Sequence, residues 1–191
     1  MRVLRALGAG VAALALAGCG LISPAASPTT VGRSKVGFNL LSPTIPGTNH
    51  ARVRFETEPI FIVDAAHHLF PTSRIVPSPP SIATVVGQLL AGPTSIERSA
   101  GFTSALPSDL VLIAATVRRH VGYVDLSGSL AQLPHAQELL AIGQLVLTAA
   151  YVGATQGLQI SLAGAIQSLP LPSGRHATVL TVAEYAGLLN G

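Results

Sequence analysis

The segment LVLIAATVRRHVGYVDLS, residues 110–127, decides how the chain folds. Two runs rich in β-branched residues, Leu110 to Val117 and Val121 to Leu126, flank Arg118-Arg119-His120. Such runs around a short polar interruption predict an antiparallel hairpin. A tight turn needs a residue at positive φ, and histidine is among the non-glycine residues enriched there. The turn is therefore placed at 118–120.

Upstream, Ile82, Val85, Val86, Leu89 and Leu90 follow the i, i+3, i+4, i+7 spacing of one apolar helix face. Ser78 is the expected N-cap, with Pro79 at the first helical position and Gly92-Pro93 as the stop. Thr94 followed by Glu97 is a capping-box pattern and predicts a short second helix. Earlier still, Arg52-Val53-Arg54-Phe55 alternates and Pro59-Ile60-Phe61-Ile62-Val63-Asp64 is a strand-forming run. Leu69 to Val76 reads as the return strand, with Asp64 to His68 as the turn.

Downstream, His135 to Val152 predicts the longest helix. Its few polar positions (Gln137, Glu138, Gln144, Thr148) imply burial on most sides. Leu158 to Leu162 alternates as a strand, and Thr181 with Glu184 opens a final helix through Leu189. This order predicts an α+β domain, a mixed sheet with helices packed on one face.

The chain begins with a different kind of segment. Arg2 and Arg5 precede an uncharged run from Ala6 to Ala17. That run is shorter than the ~20 apolar residues a bilayer span needs, so residues 1–18 read as a secretory signal. It ends in Leu16-Ala17-Gly18-Cys19, which resembles the bacterial lipobox, implying a diacylglyceryl group on the Cys19 thiol. Residues 19–50 are rich in Ser, Pro, Thr and Gly and read as a flexible tether with a reach of roughly 30 Å. Residues 51–191 are the expected folded domain.

Composition narrows the function. Charged residues are only 10% of the 191, with 11 Lys+Arg against 8 Asp+Glu. Arg2 and Arg5 supply two of the three net positive charges, so no nucleic-acid footprint is present. With no Trp, 3 Tyr and 5 Phe, rings are too scarce for most base-stacking surfaces. The single cysteine excludes an internal disulfide framework and a CxxC site.

Several stretches resemble a known family. Leu89-Leu90-Ala91-Gly92-Pro93-Thr94, then Glu97, Gly101, Ser104 and Ala105-Leu106-Pro107, are similar to the first signature of the GerMN domain of sporulation and germination proteins. Val121-Gly122-Tyr123-Val124-Asp125-Leu126-Ser127 matches the second signature and Gln144-Leu145-Val146-Leu147-Thr148 the helical third. Leu180 to Leu189 resembles the closing block, so the likeness spans Val53 to Leu189. Ser108-Asp109, His120 and Leu147 depart from the pattern at local positions. The resemblance implies a fold similar to ring-building motifs, a place in bacterial envelope lipoproteins including actinobacterial ones, and no catalytic constellation or cofactor.

Residue chemistry gives few competing sites. Asp64, His67 and His68 are candidate metal ligands because two imidazoles and a carboxylate lie within five residues. The same residues also suit a polar turn, which is the favoured reading. His50, His120, His135 and His176 are scattered on expected turns and helix starts. Asp125 and Glu97 suit turn bonding and capping, and no G-x-S-x-G, P-loop or G-x-G-x-x-G occurs. Arg118-Arg119 offers a small basic hairpin tip.

The leading expectation is a lipid-anchored protein on the extracytoplasmic face of the cell membrane. In that reading a non-catalytic module meets an envelope partner through a sheet edge or helix face. A carrier of lipid or another small apolar ligand is the alternative, from the low charge and the Ala- and Leu-rich helices. A metal-dependent hydrolase around Asp64, His67 and His68 is the third.

Overall fold

The computed structural model describes residues 53–130 and 132–189; the expected signal, Cys19 and tether lie outside the described residues. Strands β1 (Phe55–Val63) and β2 (Leu69–Pro77) form the first hairpin, in register from Phe55–Pro77 to Val63–Leu69. Three prolines sit inside these strands, and the register explains why they are tolerated. At the turn the Asp64 N–H donates to the His68 carbonyl at 2.9 Å. Bonded and non-bonded pairs alternate in an antiparallel ladder. Phe61–Pro71, Pro59–Ser73 and Phe55–Pro77 are therefore non-bonded pairs, where a missing N–H costs the hairpin nothing.

Helix α1 (Ile82–Leu90) buries Ile82, Val85, Val86 and Leu89, the face the spacing predicts. Its start differs from expectation: the N-cap is Ser81, whose hydroxyl accepts from the Thr84 N–H at 3.1 Å. Ser78 belongs instead to the hairpin. Its N–H donates to the Arg54 carbonyl at 2.8 Å and its hydroxyl donates to the Glu56 carboxylate. Helix α2 (Ser95–Ser99) carries the expected capping box between Thr94 and Glu97.

Strands β3 (Val111–Arg118) and β4 (Val121–Ser127) form the hairpin that the central segment predicts. Its turn holds both Arg119 (φ 49°) and His120 (φ 63°) at positive φ. A bulge falls between Leu112 and Ala114. Strand β5 (Gly157–Leu162) runs parallel to β4, and the two-residue β6 (Ala165–Ile166) is antiparallel to β5. The sheet order β3-β4-β5-β6 is thus mixed.

The parallel pair requires a crossover, and helix α3 (His135–Ala150) provides it. Ala141 to Ala149 are all buried, since α3 packs against β1, β2, β5 and α1. Gly122 lies on the inner face of β4, and a Cβ there would come within 2.9 Å of Ile82 Cδ1, Ala154 Cβ and Leu158 Cδ1. The absent side chain lets α1 close onto the sheet.

The C-terminal region is less regular than expected. A short pair, β7 (Leu169–Pro170) and β8 (His176–Ala177), precedes α4 (Val182–Tyr185). The capping box of Thr181 and Glu184 is present. The helix does not reach Leu189: it tightens to a 3-10 turn at Ala186–Leu188, because Leu189 makes a parallel bridge with Leu69. Tyr185 is fully buried and its hydroxyl donates to the Pro170 carbonyl at 2.7 Å.

Candidate interaction surface

Asp64, His67 and His68 share the β1–β2 turn, where the carboxylate serves the backbone. Asp64 Oδ1 accepts from the N–H groups of Ala66 at 2.9 Å and His68 at 2.8 Å. His67 takes the left-handed conformation of that turn, at φ 63°. Among the described residues no three His, Cys, Asp or Glu side chains group as a metal site would require. His120, His135 and His176 are separately exposed. Asp125 Oδ1 accepts from the Gly164 N–H at 2.9 Å, fixing the β5–β6 turn.

Glu97 does more than cap α2. Its carboxylate receives both guanidinium nitrogens of Arg74, at 2.7 and 2.6 Å, and the Thr72 hydroxyl at 2.5 Å. The Arg74 guanidinium, aided by Thr72 and Thr94, holds this carboxyl well below the usual range against the opposing effect of burial. The contact ties α2 to β2.

Gln144 and Thr148, four residues apart and so on one face of α3, are both fully buried. Gln144 Nε2 donates to the Phe61 carbonyl at 2.8 Å, and its Oε1 accepts from the Ala105 N–H at 2.8 Å. Thr148 Oγ1 accepts from the Phe61 N–H at 3.1 Å. The non-bonded pairing with Pro71 leaves both Phe61 backbone groups facing away from β2, and these side chains occupy them. Val63 completes the edge by exchanging N–H and carbonyl with Thr103 at 2.9 and 2.8 Å.

Strand β3 has no such cover. Arg118–Val121 flanks a two-residue turn and is a bonded pair, so Val117–Gly122 and Ala115–Val124 are non-bonded. The backbone groups of Ala115 and Val117 therefore point away from β4. Strand β3 is the outermost of its sheet, and among the described residues nothing hydrogen-bonds to those groups. Exposed apolar side chains flank this edge: Val111 at 59%, Ile113 at 54% and, one strand in, Tyr123 at 38%. Tyr123 faces away from the helices, since its neighbours Gly122 and Val124 are buried beneath them. Composition signals none of this; only the sheet order reveals which edge stays open.

These features define an α+β domain with a mixed sheet, helices packed on one face and, among the described residues, an open edge at β3. Residues 59–167 match the model of the Germane family, described as sporulation and spore germination, and the chain belongs to that family. The match takes in more than half of the chain and contains the stretches around Gly92, Gly122 and Gln144. The fold is similar to the tandem GerMN domains of the sporulation protein GerM from Bacillus subtilis. That likeness has a TM-score of 0.52 and 13% identity over 67% of this chain. It spans 46% of the tandem structure, a little under half its length. The first GerMN domain of the same protein aligns with a TM-score of 0.49 and 14% identity, covering 66% of this chain and 97% of that one. No curated protein sequence matches the chain.

Proposed function

We propose that this is a lipid-anchored protein of the extracytoplasmic cell envelope whose Germane domain is a non-catalytic interaction module. It takes an extended segment of an envelope protein as an added strand on β3. The observation that carries this reading is a contrast between edges: Gln144, Thr148 and Thr103 occupy the outward backbone groups of Phe61 and Val63 on β1, whereas among the described residues nothing occupies those of Ala115 and Val117 on β3, beside exposed apolar side chains. Strand addition combines main-chain hydrogen bonds with side-chain recognition at alternate positions. An uncovered edge of this kind otherwise invites unwanted pairing. The Leu16-Ala17-Gly18-Cys19 motif supports the anchor, and among the described residues no helix is long and apolar enough to cross a membrane.

The test is in-cell crosslinking with mass spectrometry on the wild type, an exported Cys19→Ala form and an Ile113→Lys form. The expected result is a reproducible envelope partner for the anchored wild type, lost with Ile113→Lys. Cys19→Ala leaves the membrane fraction. A partner retained by Ile113→Lys overturns the edge assignment, and unchanged membrane fractionation of Cys19→Ala overturns the anchor.

A further inference from the structure

We infer that a cavity of about 570 Å³ beside the β1–β2 turn binds a small neutral amphiphile, an alkyl or acyl chain bearing an uncharged hydroxyl, ester or amide head. The volume falls within the roughly 300–1,000 Å³ of small-molecule sites. The end of β1, the segment 103–105 and the first turn of α3 converge on it. Val63, Ala105 and Leu140 give it an apolar wall, while His67, Thr103 and Gln137 supply polar groups.

The wall is fixed before any ligand arrives. Val63 and Thr103 are joined by paired backbone bonds, and Ala105 is held at both backbone groups. Its N–H donates to Gln144 Oε1 at 2.8 Å, and its carbonyl accepts from Gln137 Nε2 at 3.2 Å. That last bond uses the Gln137 amide nitrogen and leaves the amide oxygen as an acceptor for a ligand hydroxyl or N–H. His67 offers one donor and one acceptor in its neutral form.

Charge decides the ligand class. Among the described residues no lysine or arginine lines the cavity, so a phosphate or sulfate head would lose hydration without gaining a countercharge from them. A sugar or nucleotide would face mostly aliphatic wall. An uncharged amphiphile satisfies both halves, with its chain on the wall and its head at His67 and Gln137. This site is independent of the β3 edge, so either assignment can fail without the other.

The experiment titrates the exported, full-length Cys19→Ala chain, which lacks its own acyl chains, with the neutral fluorophore N-phenyl-1-naphthylamine. Glycerol monooctanoate and octyl phosphate then compete. Saturable probe binding is expected, displaced by glycerol monooctanoate at concentrations at least tenfold lower than by octyl phosphate. Ala136→Trp, at an exposed position of α3 that lines the cavity, should weaken the probe at least tenfold. His67→Asn keeps a residue that tolerates positive φ and removes the imidazole. It should weaken the monoester about fivefold, the size of one hydrogen bond, and leave the probe unchanged. A diazirine-labelled monoester should mark residues 103–105 or 134–140 of the unmutated cavity, a readout independent of how Ala136→Trp folds. Absence of saturable binding, labelling elsewhere, or octyl phosphate binding as tightly as the monoester would each overturn the proposal.

Discussion

The side-chain amide of Gln144 is bonded to the backbone of Phe61 as a neighbouring strand would be, with Nε2 donating to the carbonyl at 2.8 Å. Thr148 completes the substitution at the Phe61 N–H. A helix thereby covers the sheet edge at Phe61 without contributing any backbone to it.

Replacing Gln144 with leucine strands two buried groups, the Phe61 carbonyl and the Ala105 N–H. Each orphaned group costs about 1–3 kcal/mol, so Gln144→Leu should lose roughly 2–6 kcal/mol. Urea unfolding at neutral pH measures this, and a loss well below ~1 kcal/mol would show that the two groups find other partners.

Glu97 should govern the acid limb of stability. Its folded-state pKa is depressed, chiefly by Arg74. The stabilisation is therefore present above the ordinary glutamate value of about 4.3 and lost as pH falls below it. Urea midpoints from pH 7 to pH 3 should fall more steeply for the wild type than for Glu97→Gln. Parallel curves would remove Glu97 from the account.

Gly122→Ala tests the approach of α1 to the sheet. Two of the three atoms in the way are side-chain ends, but Ala154 Cβ cannot rotate aside. Overpacking of this kind costs about 1–3 kcal/mol. A thermal midpoint unchanged from the wild type would mean the helix can shift freely.

Burial pushes the Tyr185 phenol well above its ordinary range, with Glu184 and Glu138 adding to the effect. The folded state keeps this proton, so its stabilisation is lost as pH rises above the ordinary phenol value of about 10. Alkaline titration followed at the tyrosinate absorbance should contain a step that coincides with unfolding and disappears in Tyr185→Phe. At neutral pH the same variant should lose about 1–2 kcal/mol through the Pro170 carbonyl.

Local signals made much of this fold legible. The hairpin at 118–120, both capping boxes and the apolar face of α1 depend on residues close in sequence, and the structure contains each of them. The N-cap of α1 differs from the sequence expectation because Ser78-Pro79-Pro80-Ser81 offers two serines, and the pairing of Ser78 with Arg54 chooses between them. Gln144 and Thr148 were visible only as polar interruptions of a helix, since their partner Phe61 lies more than 80 residues away. The open edge was less accessible still. It depends on β5 inserting beside β4 and leaving β3 outermost, an arrangement that neither hydrophobic period nor turn chemistry encodes.

The prolines of the first hairpin bear on stoichiometry. Pro71 and Pro77 remove two donors from the outer side of β2, β6 is only two residues long, and at the end of β1 Phe61 is covered by α3 and Val63 by Thr103. Strand pairing along β2 and β6 is thus interrupted or short. Strand β3 contains no proline, so the expected stoichiometry at that edge is one added strand per domain. Two copies meeting through that edge would each use up the other's open strand.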